Sequence, residues 1–267
     1  MKYVIDHDYH IHSRLSLCSG NPEQTTERIL QYAKENSLRS ICITDHYWDS
    51  TVDGASPWYA KQDFNHIAEA LPLPTADGID FIFGCETEMR ADTGVCIPKS
   101  RYNDFGFIVV PTTHLHMTDY TILREDAASA ERRARLWVER FDALMDQPLP
   151  WGRVGVAHLT TVLINYSPCK SEHLKVLDMI SDEDMERLFA RAAKIGLGIE
   201  LNYDDMKFTD STADTILRPY RIAKSHGCKF YLGSDAHGPS VFASVKDVFE
   251  RAVRTLDLTE NDKFHIS

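Results

Sequence analysis

The chain has 267 residues, 43% of them hydrophobic and 26% charged, a balance that fits one large globular domain and excludes a disordered or collagen-like chain. A net charge of −11 disfavours nucleic acid and acidic membrane surfaces as partners, since both are usually met by a basic face. Six cysteines without C-x-x-C spacing, no apolar signal core and no run of spanning length point to a cytoplasmic protein with reduced thiols.

The apolar run Tyr3-Val4-Ile5 reads as the first strand and leads into Asp8-Tyr9-His10-Ile11-His12. Strand residues two apart share a face, so His10 and His12 project together and can share one metal ion. A polar loop containing Arg14 and Cys18 follows, then a helix from about 21 to 36 with Asn21 as cap and Pro22 in its first turn. The second strand, Ser40 to Thr44, delivers Asp45-His46. A helix is expected around Lys61 to Leu71, and a third strand from Asp80 to Cys85 that ends in Glu86. The fourth strand, Phe107 to Val110, leads to His114 and His116, and a helical stretch runs from about Arg124 to Met145. The fifth strand, Arg153 to Ala157, ends at His158; a helix capped by Ser181 follows. The sixth strand is Gly198 to Asn202, with a helix over about 212–225 that Pro219 interrupts or kinks. The seventh, Lys229 to Gly233, ends in Asp235-Ala236-His237 before a last helix at about 244–256.

Seven short apolar strands alternating with helices imply an α/β fold with a parallel sheet, closed into a TIM-like barrel of one domain, 1–267. The C-terminal ends of barrel strands converge on one face, where active sites sit. His10, His12, His46, Glu86, His114, His158, Asp235 and His237 all fall at such ends, taking in half of the chain's 12 histidines. That is more than one tetrahedral ion needs, so two or three divalent ions (Zn, Mn or Fe) are implied, with a carboxylate such as Glu86 suited to bridge a pair. Metals clustered in this way activate water and neutralise phosphoryl oxygens during in-line attack. Asp8 and Asp45, beside the histidines, are read as groups that orient imidazoles.

The segments Asp8-x-His10-x-His12-Ser13, Thr44-Asp45-His46, Gly84-x-Glu86, Thr112-Thr113-His114, Ala157-His158-Leu159, Glu200-Leu201-Asn202 and Ser234-Asp235-Ala236-His237 occur in this order. Together they make the chain resemble the PHP (polymerase and histidinol phosphatase) family over nearly its whole length. The resemblance implies a distorted seven-stranded (β/α) barrel, a trinuclear metal site and phosphoester hydrolysis. It implies that His10, His12, Glu86 and Asp235 hold one ion, that Glu86 bridges to a second held by His114 and His158, and that His46 and His237 hold the third. Some relatives place a histidine where this chain has Cys18, which is either a thiolate ligand of the third ion or a small loop residue. His116 is an alternative to His114.

Ala157-His158-Leu159 and Glu200-Leu201-Asn202 are similar to the histidinol-phosphatase branch, with Lys207 where that branch tends to carry a phosphate-binding arginine. The expected reaction is hydrolysis of a small phosphomonoester, with Asp235 or His237 protonating the leaving alkoxide and Glu86 in the catalytic set. Asn202, Lys207 and Arg14 are the candidate substrate contacts; Lys99, Arg101 and Lys170 are further cations in loops on that face. The rivals are an amidohydrolase-type C–N or C–O hydrolase, which often uses a lysine at the fourth strand end where this chain has Pro111 to His114, and a non-catalytic metal-binding module.

Overall fold

The computed structural model describes residues 1–167 and 171–267, so Cys169 and Lys170 lie outside the described residues. Its strand segments are β1 (His7–Ile11), β2 (Ser40–Ile43), β3 (His46–Tyr47), β4 (Asp80–Phe83), β5 (Cys85–Thr87), β6 (Ile108–Pro111), β7 (Val154–Ala157), β8 (Gly198–Asn202) and β9 (Lys229–Gly233). The helices are α1 (Thr26–Glu35), α2 (Phe64–Ile67), α3 (Ala130–Leu144), α4 (Glu172–Asp178), α5 (Asp182–Ile195), α6 (Ala213–Ser225) and α7 (Phe242–Thr255). Every pairing between these strands is parallel, in a small sheet β1-β2-β4 and a large one β3-β5-β6-β7-β8-β9. The fold is therefore α/β with parallel sheets, as the alternation of elements predicts. None of the described helices is long and apolar enough to cross a membrane.

Nine segments replace the seven expected because two runs break in the middle. The second run stops after Ile43 and resumes at His46; the third breaks at Gly84. In each, the first half joins the small sheet and the second half joins the large one. Gly84 is required at its break: a Cβ there would lie 2.5 Å from the Phe107 carbonyl oxygen and 2.6 Å from Cys42 Sγ. The free edge of the small sheet meets the end of the large one. The Asp235 N–H donates to the His10 carbonyl at 2.6 Å, the His12 N–H to the Ala236 carbonyl at 3.2 Å, and Ile11 pairs with Ala236.

Alternate residues of the same strands feed two apolar groups. Ile41, Ile108, Val110, Val156, Ile199 and Leu232 face the helices, where Trp137, Phe141, Leu188, Phe189 and Leu217 are fully buried. Cys42, Phe107, Val109, Ala157 and Tyr231 point the other way and pack with Phe264 near the C-terminus.

Local expectations fail where polar chemistry overrides pattern. The first strand is not Tyr3–Ile5 but His7–Ile11, a polar segment whose five residues are all buried. The first helix begins at Thr26, with the Thr25 hydroxyl accepting the Arg28 N–H. Asn21 instead closes a turn, its carbonyl accepting the Gln24 N–H at 3.1 Å. That turn buries Gln24, whose side-chain amide donates to the carbonyls of His12 (2.8 Å) and Ala236 (3.0 Å) and so ties β1 to the end of β9. The helix expected around Lys61 to Leu71 is present as the short α2, which runs directly into a 3-10 turn at Ala68–Ala70, and α4 is an additional helix that the hydrophobic pattern does not show. Ser181 caps α5 as expected, and α6 continues through Pro219 without interruption.

Gly84→Ala should destabilise the fold by about 1–3 kcal/mol, because the clash is with backbone that cannot rotate away. Urea unfolding with an unchanged m-value and a lowered midpoint is the expected result.

Candidate metal centre

The strand breaks and strand ends put the candidate ligands in one place. His10 lies in β1 with His12 just past it; His46 is in β3 and Glu86 in β5. His114 and His158 follow β6 and β7, and Asp235 and His237 follow β9. Three groups of nitrogen and carboxylate atoms converge closely enough to hold a metal ion: His10, His12 and Glu86; Glu86, His114 and His158; and His12, His46 and His237. Asp235 stands beside the first group, its Oδ1 lying 3.1 Å from His12 Nε2 and 3.5 Å from His10 Nε2.

Which nitrogen each ring turns inward follows from what holds its other one. The His10 Nδ1–H donates to Glu200 Oε1 at 2.6 Å and the His114 Nδ1–H to Glu88 Oε1 at 2.7 Å, since a carboxylate only accepts. The Ser16 hydroxyl donates to Asp45 at 2.6 Å, so it accepts from His12 Nδ1–H at 2.8 Å. The Thr113 hydroxyl donates to the His158 carbonyl and accepts from the same residue's Nδ1–H at 3.0 Å. The His237 Nδ1–H donates to the Asp235 carbonyl at 2.7 Å. Five rings therefore present a bare Nε2 to the centre, the tautomer a metal ligand needs.

Glu86 occupies the middle and is 1% exposed. Its Oε2 lies 2.9 Å from His46 Nδ1, 3.4 Å from His12 Nε2 and 3.6 Å from His10 Nε2. Neither Glu86 Oε2 nor His46 Nδ1 makes a hydrogen bond, although both are buried. Converging lone pairs on buried atoms that lack protons to share are what a cation satisfies, so the donor set fits divalent metal. Two residues of the set carry backbone strain, His158 at φ +30° and Asp235 at φ +50°, as functional positions often do.

Sequence reasoning found the inner residues and missed much of their support. Glu200 was visible only as part of a motif, yet it holds both the His10 ring and, through Oε2, the His158 N–H at 2.6 Å. Glu88, two residues from Glu86 and therefore on the same strand face, was readable from that spacing. Ser16 and Thr113 carry no sequence signal of their own. The expectation that Asp8 and Asp45 orient imidazoles needs correction. Asp8 accepts from the Ser234 N–H and the Tyr32 hydroxyl, joining β1 to its neighbours, and Asp45 reaches His12 only through Ser16.

A cavity of about 330 Å³ opens over the cluster, walled by His46, Trp58, Tyr59, His116, Met117 and Leu163 among others. Cys18 lies on its rim, exposed and in none of the three ligand groups; desolvation, together with the Glu86 and Asp235 charges, pushes its thiol up. His116 also reaches this cavity but joins no ligand group, whereas His114 does. The expected substrate contacts scatter. Asn202 is buried and donates to Glu200 (3.3 Å) and Asp235 (3.4 Å), so it touches the ligand set itself. Lys207 faces a separate cavity. The Asn202 side chain caps a turn at Asp204, the chain swings away, and Lys207 pairs with Asp204 at 2.6 Å while lying 3.7 Å over the Tyr203 ring. Arg14 lines another surface cavity beside Thr26 and Glu27, Arg101 pairs with Asp49 and Asp104, and Lys99 is exposed and outside the metal cavity. Lys170 lies outside the described residues. Among the described residues no Lys or Arg lines the metal cavity.

The PHP domain family model matches residues 8–242, and the chain belongs to this family. A probable phosphatase from Caldicellulosiruptor saccharolyticus is 22% identical over 225 residues, covering 83% of this chain and 77% of that protein. Among solved structures, histidinol phosphate phosphatase from Lactococcus lactis, complexed with zinc, L-histidinol and phosphate, superposes with a TM-score of 0.53 at 16% identity. It covers 92% of this chain and 93% of that one.

Glu200→Gln keeps the volume but turns an amide N–H₂ toward a ring or backbone donor, so metal affinity should fall by roughly 10–100-fold, read by titration with zinc and a competing chelator. A second expectation concerns pH. Asp205, buried, accepts the Thr160 N–H and the Tyr220 hydroxyl, and burial raises its carboxyl to about 6. The folded state then keeps a proton the unfolded chain releases near pH 4, so this group's contribution is present at low pH and is lost as pH rises through 6. Relative to Asp205→Asn, the parent should lose about 3 kcal/mol of unfolding free energy between pH 3 and 7, measured by urea melts.

Proposed function

We propose that this chain is a metal-dependent phosphomonoesterase acting on a small phosphorylated substrate and holding two or three divalent ions, zinc, manganese or iron. The observation that carries the reading is the sharing of one buried carboxylate, Glu86, between a His10–His12 group and a His114–His158 group. Family membership and the likeness to a probable phosphatase support it. Bound divalent ions would supply positive charge for the phosphoryl oxygens and an activated water.

The protein's own part is to hold and orient. His10, His12, Glu86 and Asp235 would keep one ion; Glu86, His114 and His158 a second; His46 and His237, with His12 close by, a third. Glu200, Glu88, Ser16 and Thr113 fix the rings so that no reorganisation is needed when substrate arrives. Of the expected donors of the leaving-group proton, His237 sits within a ligand group and Asp235 beside one, and we assign both to holding metal first. Asn202 we assign to anchoring Asp235. We also infer that the two sheets form one distorted seven-stranded barrel. Hydrogen bonds between the ends of β1 and β9, and apolar side chains on both faces of the strands, support that closure.

The test is phosphate release from a panel of small phosphomonoesters by protein loaded with manganese or zinc. Turnover should be lost on chelation, return on adding metal, and fall at least about 100-fold in His10→Ala/His12→Ala. Release no faster than that double variant from every ester, at matched metal content of the medium, would overturn the assignment.

A further inference from the structure

The phosphatase reading leaves the leaving group unspecified, and the walls of the metal cavity bear on it. Trp58 is half-buried, its ring 5.4 Å from the His46 ring and 4.6 Å from Tyr59, both edge-on. Tyr59 is held in turn by its hydroxyl donating to Glu88, so this aromatic wall is fixed to the ligand network. Met117 and Leu163, also half-buried, line the same cavity. Trp58, His116 and Met117 are shared with a second cavity of about 590 Å³, walled further by Pro57 and Tyr120. The two spaces are thus continuous along one aromatic and thioether surface leading out from the ligand cluster.

Charge narrows the choice. Among the described residues, no Asp, Glu, Lys or Arg lines the outer cavity, and the two carboxylates of the inner one are engaged with imidazoles. An ammonium or carboxylate on the leaving group would leave water for a surface that offers it the hydroxyls of Ser56, Thr118 and Tyr120 and the His116 ring but no opposite charge, which is costly. An aromatic ring there would bury apolar area and could stack or sit edge-on against Trp58.

Building on the phosphatase assignment, we propose that the substrate is a phosphomonoester whose leaving alcohol is uncharged and carries an aromatic ring or an apolar body of similar size, seated along Trp58 and Met117. The phosphoryl end lies at the ligand cluster, and the ring reaches toward Pro57 and Tyr120.

Three esters of primary alcohols, close in intrinsic reactivity, test this on the manganese-loaded enzyme: 2-phenylethyl phosphate, glycerol 3-phosphate and phosphoethanolamine. The value of kcat/KM for the phenylethyl ester should exceed both others by about tenfold or more, the worth of burying a ring. Calorimetric binding gives an independent readout: benzylphosphonate, which resists hydrolysis, should bind about tenfold more tightly than methylphosphonate. Trp58→Ala should bring both ratios to within about twofold, and Met117→Lys, on a half-exposed position, should lower them in a folded background. Equal kcat/KM values, or preference for the ethanolamine ester, in an enzyme that does release phosphate would overturn the leaving-group assignment while leaving the phosphatase reading intact. Failure of every ester, with benzylphosphonate binding no tighter than methylphosphonate, would overturn both; failure of every ester with benzylphosphonate preferred would overturn the phosphatase reading alone.

Discussion

A carboxylate that is almost fully buried and ringed by imidazole nitrogens is the constraint on which this structure turns. Glu86 has given up nearly all its water, yet one of its oxygens receives no hydrogen bond from the protein. Isolated charge in such a place is expensive, and the ordinary remedies are a proton, a paired cation or a metal. Imidazoles whose remaining N–H is spent elsewhere offer lone pairs to the centre, so they do not relieve the carboxylate by donating to it. The arrangement is therefore one that cations complete, and the same atoms that make the interior costly make it a receptor for metal.

The surrounding network reads as a consequence of that requirement. Each ring needs its outer nitrogen held, and the holders come from different elements: Glu200 from β8, Glu88 from just past β5, Ser16 from the loop after β1, Thr113 from the segment after β6. Asp45 steadies Ser16 by accepting both its N–H and its hydroxyl, and the His46 N–H donates to the same hydroxyl oxygen. Space is managed as carefully as hydrogen bonding. At Gly233 a Cβ would collide with the Glu200 carboxylate and crowd the His10 side chain, so β9 must end in glycine for β8 and β1 to present their ligand-side groups at that level. The loop holding His114 is pinned from outside by Arg140, which is buried and donates to the carbonyls of Thr112, Thr121, Met89 and Arg90.

The inner residues were legible in the sequence because strand ends in a parallel α/β fold converge, so a histidine or acid at each end is informative without contact data. The first strand was misplaced for the same physical reason that the site exists. Hydrophobic pattern finds strands that bury apolar side chains, and His7 to Ile11 buries aspartate and histidines instead, while the apolar Val4 is exposed. The break at Gly84 is hidden within an apolar run, and only the packing against Phe107 and Cys42 shows where that run must bend; β3 lies past the polar pair Thr44-Asp45, where an apolar pattern has already ended. Lys207 looked placed for a phosphate because spacing was counted along the chain, whereas the Asn202 side chain caps a turn that carries it into another cavity.

That last point changes how the anion must be met. Bound phosphate on proteins is commonly clasped by arginine forks or by lysine. Here the chain is acidic overall and, among the described residues, the metal cavity has no such side chain. On the proposed reading, the positive charge that would draw and hold a phosphoryl group comes from the ions, whose field dominates nearby surface charge. On the proposed phosphatase reading, the cations that would relieve Glu86 are also the groups that would meet the substrate. A sequence under that coupling can lose surface cations freely, as long as the ligands and the second residue behind each ring are kept.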